Sequence, residues 1–345
     1  MNFNYLLPLF LCLPVLAEVI VAKPNVSYKN ETVVWYPSTK HITFGEEKLS
    51  REEQLLLQIF LDELNFTPGK IDGSVGKFTK EAAYSYYTSI GIPEEKSLHV
   101  AIEHAFERKN IPYTEAIVPK SAKDFINHSL PYKYSQLAKT KRVSYRSYGE
   151  YMAERYHTSE KFLKALNGKS TINNLTTGKK IKVPNVAPFY IEDLEYKQYK
   201  SLEELEMNYA VIDTKVNTLK VFSKIGADQP DKLIAFFPIT PGRKDQIKYG
   251  EWKIKNSYVF PTWRYDPKVL SGTGRSKTGI NVPPGPNNPV GVMWNGLTAK
   301  SVGIHGTNDP DSIGRATSSG CIRMANWDVV RIPKFLRPGC RVMIQ

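Results

Sequence analysis

Four residues near the carboxyl end of the chain could together carry out nucleophilic catalysis. His305 ends a short apolar stretch, and Cys321 follows it after 16 residues, in the segment SSGCIR. A cysteine nucleophile requires a base, an oriented imidazole and hydrogen-bond donors for the developing oxyanion. Gly320 permits a tight turn and a close approach of substrate, so its amide and that of Cys321 could converge on the oxyanion. Arg323 could hold a carboxylate through its guanidinium fork.

The state of the thiol decides whether this chemistry is possible. A nearby imidazole would lower the pKa of the Cys321 thiol and supply thiolate near neutral pH. A cysteine in a secreted domain is more often a disulfide partner or a buried apolar residue. A Cys321–Cys340 disulfide would block the nucleophile, but the segment PGCRVMI favours Cys340 as a buried residue of the last strand. Trp263, Tyr265 and Trp294 could line a substrate cleft or pack in the core.

The elements that must position these residues are mostly strands. From residue 208 onward helical periodicity is weak, and several short runs are typical of strands. The predicted strands are Tyr209–Asp213, Thr218–Phe222, Leu233–Ile239, Glu251–Ile254 and Ser301–Ile304. The last of them leads directly into His305, so the backbone can fix the imidazole. This part of the chain is predicted to be a mostly β domain of catalytic size.

The strings around these residues resemble the catalytic domain of the L,D-transpeptidases, the YkuD-like family. The segments IHGT and SIGRATSSGCIRM and the upstream loop GPNNPVG carry the resemblance, which covers residues 208–345. It implies a β-sandwich, Cys321 as the acylated nucleophile, His305 as the general base, and no metal or organic cofactor. It also implies that the carbonyl of Gly306 orients the imidazole in place of an acid. The residues implied at the oxyanion or the substrate are Ser318, Ser319, Gly320 and Arg323.

A first small module is predicted upstream. Residues 49–95 combine an amphipathic helix, Arg51–Asn65, with the segment GKIDGSVGKFT, and they resemble a small peptidoglycan-binding domain. Thr79 is expected to cap the second helix of this module. Residues 96–142, which follow, are interpreted as a connecting region without a predicted function.

A second small module is predicted at residues 143–186, which resemble a LysM module, a binder of glycan chains. Ser147 is the expected N-cap of its first helix, since S-x-x-E spacing is typical of a capping box. Thr158 or Ser159 is expected to cap the second helix, and Lys180–Pro184 is the predicted closing strand. The opening strand that is usual in such modules is not apparent.

The amino terminus indicates export. Residues 5–17 read YLLPLFLCLPVLA, an uncharged run that ends in a pattern suited to signal peptidase, so residues 1–22 are predicted to be a signal peptide. An uncleaved anchor is the alternative, although Glu18 interrupts the apolar stretch. Residues 23–48 are polar and are interpreted as a linker. The chain has 47 Lys and Arg against 34 Asp and Glu, a net charge of +13. Outside the cytoplasm, this charge favours an anionic envelope polymer over nucleic acid.

These features predict a multidomain protein of the bacterial cell envelope, periplasmic or secreted. A mostly β catalytic domain would follow two small helical or α+β wall-binding modules. The predicted enzyme is a peptidoglycan L,D-transpeptidase whose partners are tetrapeptide stems and glycan strands, with no membrane contact beyond the signal peptide or an anchor. With water as acceptor the domain would be an L,D-carboxypeptidase, and with a free D-amino acid an exchange enzyme. A non-catalytic wall-binding protein is the alternative from another class, and the complete Cys-His-Arg set argues against it.

Overall fold

The computed structural model describes residues 49–108, 111–226, 229–271, 273–274, 276–315 and 320–345. The predicted signal peptide and the predicted linker lie outside these ranges. No helix among the described residues has both the length and the apolar character needed to cross a bilayer.

Three helices open the described chain: α1 (Arg51–Glu63), α2 (Lys77–Ser89) and α3 (Glu94–Arg108). A capping box fixes the start of α1, because the Ser50 hydroxyl accepts from the Glu53 amide while the Glu53 carboxylate accepts from the Ser50 amide. The prediction that Thr79 caps the second helix was wrong, since α2 begins at Lys77. The buried Thr79 hydroxyl instead accepts a hydrogen bond from Gln58 Nε2 at 3.4 Å.

The next elements are β1 (Tyr113–Ile117), α4 (Tyr134–Leu137), α5 (Tyr148–Arg155), α6 (Glu160–Asn167), α7 (Lys169–Asn173) and β2 (Lys180–Pro184). The expected caps of α5 and α6 are confirmed. The Ser147 hydroxyl accepts a hydrogen bond from the Glu150 amide at 3.0 Å, and the Ser159 hydroxyl accepts one from the Phe162 amide at 3.1 Å. Sequence reasoning assigned no structure to β1, which pairs antiparallel with β2. A strand from the predicted connecting region therefore joins the predicted closing strand.

The remaining elements form a mostly β domain, which confirms that prediction, although the first of them lies before residue 208, where the predicted domain begins. They are β3 (Gln198–Tyr199), β4 (Asn208–Asp213), β5 (Thr218–Ser223), β6 (Lys232–Pro238), β7 (Gly250–Val259), β8 (Trp263–Tyr265), α8 (Pro267–Leu270), β9 (Ile280–Val282), β10 (Met293–Leu297), β11 (Gly303–His305), β12 (Ile322–Arg323), α9 (Asn326–Val329) and β13 (Arg341–Ile344). In the described part of the chain, nine strands form one sheet, in the order β12-β11-β10-β7-β13-β4-β5-β6 with β3 also on β7. Strands β8 and β9 pair with each other and with no other described strand.

The sheet curls at β7, its longest strand. The first residues of β7 pair with β13 on one side, and its last residues pair with β10 on the other. Ile212 and Val221 from one half and Ile304 from the other belong to one buried cluster. The layers of the predicted β-sandwich are thus two halves of a single curled sheet around a shared core. Each fully buried Val, Leu or Ile in such a core contributes about 1.5–3 kcal/mol.

The upstream elements share a core with the β domain. One buried cluster contains Leu55 and Ile59 of α1, Tyr151 of α5, and Val292 and Trp327 of the β domain. A second cluster joins the three opening helices to β6. All described residues accordingly belong to one compact unit.

A buried ionic cluster also ties these elements together. Arg331 donates from Nη2 to Asp62 Oδ2 at 2.8 Å and from Nη1 to the Asp62 carbonyl at 3.0 Å. His157 Nδ1 lies 3.3 Å from Asp62 Oδ1, and its ring stacks on Trp327 with 5.5 Å between centroids. Burial raises the pKa of the Asp62 carboxyl, but Arg331 and His157 outweigh burial and hold this pKa well below its usual range. His157 is therefore a structural residue.

Candidate active site

A cleft of about 920 Å³ opens beside β10, β11 and the start of β12. Cys321, His305 and Arg323 all line this cleft, so the structure brings these three predicted site residues together. Trp263 and Trp294 also line it, as expected, whereas Tyr265, the third aromatic residue expected there, packs against Tyr134 and is not among the lining residues. The cleft therefore joins a thiol, an imidazole, a guanidinium and flat apolar surfaces.

Strand pairing and one hydrogen bond fix the imidazole of His305. This residue ends β11, where it pairs with Trp294 of β10 and with Arg323 of β12. Its Nδ1 lies 2.6 Å from the carbonyl oxygen of Gly306. Because a carbonyl only accepts, Nδ1 carries the proton and Nε2 is left as the basic nitrogen. The Trp294 indole stacks on the imidazole with 5.5 Å between centroids and 13° between planes.

The resting imidazole is uncharged at neutral pH. His305 is only 4% exposed. Burial lowers its pKa from 6.5 to about 4; the hydrogen bond to Gly306 raises this pKa, and the nearby charge of Arg323 lowers it further. A neutral imidazole with a fixed tautomer can accept a proton when one is released beside it.

The Cys321 thiol is half-buried just before β12. Its Sγ lies 3.6 Å from the carbonyl oxygen of Ser301, to which the thiol can donate. Burial raises the pKa of the thiol, while a backbone hydrogen bond from Gly303 and the charge of Arg323 act in the opposite direction. The expectation of a thiolate near neutral pH was therefore wrong. Because the pKa of the thiol is raised and that of the imidazole is lowered, both groups of the resting pair are neutral.

The second cysteine of the described ranges is structural. Cys340 is 2% exposed, as predicted, and its Sγ accepts from the Arg337 amide at 3.2 Å. Neither Cys321 nor Cys340 forms a disulfide with another described residue. Within the same ranges, no three His, Cys, Asp or Glu side chains group together as they would around a metal ion.

Two glycines shape the backbone before the thiol. Gly320 has a φ of +96°, a conformation that L side chains rarely adopt. A Cβ on Gly242 would lie 2.5 Å from the Cα of Gly320, so both residues allow a close approach of two backbones. Sequence reasoning identified Gly320 but not Gly242. Ser318 and Ser319, the other residues predicted at the oxyanion or substrate, lie outside the described residues.

Arg323 brings a positive charge to the cleft. Its backbone is fixed by reciprocal hydrogen bonds with Thr240, both of 2.9 Å. Arg264, another arginine of the cleft, donates to Asp266 at 2.9 Å, whereas no described carboxylate forms an ion pair with Arg323. A guanidinium of this kind is suited to the carboxylate of an incoming ligand.

Asn326, which sequence reasoning missed, packs against the backbone of Gly306. Its buried side chain donates from Nδ2 to Glu154 at 2.9 Å and accepts at Oδ1 from the Val292 amide at 3.1 Å. A Cβ on either Gly306 or Gly291 would lie 2.2 Å from this Oδ1, so both positions require glycine. Burial raises the pKa of Glu154 to about 8. Glu154 is separated from Asn326 by 172 residues, so no local pattern could reveal the pair.

Comparison with known proteins identifies the family. The YkuD family, described as the L,D-transpeptidase catalytic domain, matches residues 208–344. The putative L,D-transpeptidase YqjB of Bacillus subtilis is 30% identical over 142 residues, which are 39% of this chain and 70% of that protein. The putative L,D-transpeptidase YkuD of Bacillus licheniformis is 46% identical over 78 residues, 22% of this chain and 47% of that relative. The chain therefore belongs to the L,D-transpeptidase family.

The extent of these matches is limited. The chain spans less than half the length of the YkuD relative that it matches. Among solved structures, an L,D-transpeptidase from Mycobacterium smegmatis aligns at 13% identity over 50% of this chain and 76% of that chain, with a TM-score of 0.29. A structural match with an identity and a TM-score this low carries no information about function.

Proposed function

We propose that the protein is a peptidoglycan L,D-transpeptidase in which Cys321 forms an acyl-enzyme and His305 is the general base. The observation that carries this proposal is the shared cleft, which is lined by the thiol, the oriented neutral imidazole and the guanidinium of Arg323. Membership of the L,D-transpeptidase family supports the class of substrate.

Acylation starts from the neutral pair. As sulfur attacks the carbonyl carbon of the L-to-D peptide bond of a tetrapeptide stem, Nε2 of His305 takes the thiol proton. The amides of Gly320 and Cys321 stabilise the oxyanion. When the intermediate collapses, the imidazolium gives its proton to the leaving amine of the terminal D-residue. A thioester then remains on the sulfur.

The carbonyl of Gly306 supports both proton transfers. It holds the tautomer in which Nε2 is basic, and it stabilises the imidazolium while that ion exists. Because the resting pKa of His305 is about 4, the imidazolium forms only while the bond between Sγ of Cys321 and the substrate carbonyl carbon is forming. The mechanism needs no resting thiolate, in accord with the raised pKa of the Cys321 thiol.

Deacylation reverses these steps with a new acceptor. The amine of a neighbouring stem attacks the thioester, His305 accepts its proton, and the thiol is restored with a cross-link formed. Arg323 binds a carboxylate of one of the stems. Water as acceptor would instead release a trimmed stem, and a free D-amino acid would give an exchanged one.

The envelope is the proposed place of action. The family relationship and the charge of +13 support an anionic wall polymer as partner. The upstream residues 49–95 and 143–186 are proposed to contact glycan strands. Since they share buried cores with the β domain, they would hold the wall at a fixed position relative to the cleft.

Incubation with purified tetrapeptide stems tests this function, with products read by mass spectrometry. The expected products are the free terminal D-residue and a cross-linked stem dimer, and the Cys321→Ala variant should give neither. The same experiment separates cross-linking from trimming and exchange by product mass. Absence of all three products with the wild-type protein would contradict the proposal.

A further inference from the structure

One wall of the cleft rests on residues that precede the β domain. The two-stranded sheet of β8 and β9 carries Trp263, which lines the cleft. Each strand has only three residues, and neither pairs with the nine-stranded sheet in the described structure. A two-stranded sheet is marginally stable by itself in water, so this wall needs a packing partner.

Tyr134, at the start of α4, supplies that packing. Its ring centroid lies 5.1 Å from that of Trp263 at 65° and 4.6 Å from that of Tyr265 at 40°. The rings of Trp263 and Tyr265 are themselves 5.6 Å apart. These are favourable aromatic geometries. Val282 of β9 and Leu137 of α4 belong to the same buried cluster, which places the whole helix against the small sheet.

The backbone after β9 is docked on the same upstream segment. Val143 donates its amide to the carbonyl of Pro284 at 3.0 Å and accepts from the amide of Asn287 at 3.0 Å. Asn287 Nδ2 also donates to the Ser144 carbonyl at 2.9 Å. A Cβ on Gly285 would lie 2.4 Å from the carbonyl oxygen of Val143, so the two segments touch along their backbones. Aromatic packing and main-chain bonds therefore hold the wall from two sides.

From this geometry we infer that Tyr134 is a positioning residue for the substrate. It acts through Trp263, whose indole it holds in the cleft wall, and it never contacts the substrate itself. The inference rests on the proposed function for its substrate, the tetrapeptide stem. Loosening the wall should weaken stem binding and leave the thiol and imidazole in place, because His305 ends β11 and Cys321 lies just before β12, both outside β8 and β9.

Three variants of the full chain test this role. Tyr134→Ala removes the ring, Tyr134→Phe retains it without the hydroxyl, and Tyr132→Ala is the matched control, since Tyr132 lies in the same segment and is 81% exposed. Tyr134→Ala should raise KM for the stem about tenfold, the scale of one lost aromatic contact, and change kcat less than twofold. Tyr134→Phe and Tyr132→Ala should resemble the wild type.

Hydrogen exchange provides a readout that does not depend on turnover. The amides of Trp263–Tyr265 and Ile280–Val282 should exchange about tenfold faster in Tyr134→Ala than in the wild type, because the brace of the small sheet is lost. Unchanged exchange would overturn the inference, and so would a fall in kcat at constant KM. If the wild type shows no turnover, the proposed function fails, and the exchange rates alone decide whether Tyr134 braces the wall.

Discussion

The pH dependence of turnover follows from the buried imidazole. The pKa of His305 falls from 6.5 to about 4, mainly through burial. At about 1.4 kcal/mol per pKa unit, this is about 3 kcal/mol of preference for the neutral ring. At pH 5.5 an ordinary imidazole would be about 90% protonated and unable to act as a base, whereas His305 would be only about 3% protonated.

The assay is kcat/KM for tetrapeptide stems between pH 4 and pH 8, since this ratio reports the ionisation of the free enzyme. We expect the value at pH 5.5 to remain within about twofold of the value at pH 7, with a midpoint of the acid limb near pH 4. Circular dichroism at each pH checks that the protein remains folded. An acid limb with a midpoint near pH 6.5 would refute the conclusion that the pKa of His305 is lowered and that the imidazole and the thiol are both neutral at rest.

Arg323 allows the same reasoning to be tested by mutation. Its positive charge lowers the pKa of His305, so Arg323→Gln should move the acid midpoint upward. Arg323→Lys is the matched control, because it retains a positive charge and should leave the midpoint near that of the wild type. A midpoint that is the same in both variants would show that this charge does not act on the imidazole.

Three further predictions concern the support of the site. Burial raises the pKa of Glu154 from 4.5 to about 8, so the folded state holds a proton that the unfolded chain releases, and stability falls as pH rises through this window. Between pH 5.5 and pH 8, the free energy of unfolding measured by thermal unfolding should therefore fall by about 3 kcal/mol less in Glu154→Gln than in the wild type. Equal falls in the variant and the wild type would contradict this. Asn326→Ala should cost about 3 kcal/mol in urea unfolding, because the amide of Val292 and a Glu154 oxygen lose their partner; a cost below about 1 kcal/mol would mean that these bonds are replaced. Trp294→Ala should lower kcat about tenfold by releasing the stacked His305 ring, while Trp294→Phe retains most of the activity. An unchanged kcat in Trp294→Ala would show that stacking does not orient the imidazole.

Local patterns predicted the β domain well. The strand predicted at Tyr209–Asp213 is β4, and the one predicted at Thr218–Phe222 is β5, because alternation of side chains on a half-buried strand is visible in a short window. Strand β1 escaped prediction, since its short run lies between prolines and its partner β2 comes much later in the chain. The cap predicted at Thr79 failed because α2 begins earlier, at Lys77 after the N-cap Gly76, so that Thr79 lies inside its first turn and its hydroxyl accepts from Gln58.

In the candidate site too, features set by local sequence could be predicted and features set by the folded chain could not. Cys321, His305 and Arg323 could be predicted because their types and spacing are local. The protonation state of the pair could not, because burial raises the pKa of the thiol and lowers that of the imidazole, and burial is a property of the folded chain. The hydrogen bond between Asn326 and Glu154 has no sequence signal either, since 172 residues separate its partners.

Acylation of Cys321 is the central claim, and intact-protein mass spectrometry tests it most directly. The wild type, Cys321→Ala and Cys340→Ala are each incubated with a carbapenem-type β-lactam, which would be trapped as a covalent adduct. Cys340→Ala is the matched control, because it removes the other, buried thiol of the described chain. We predict one adduct on the wild type and on Cys340→Ala, and none on Cys321→Ala. An adduct that persists on Cys321→Ala would contradict the account.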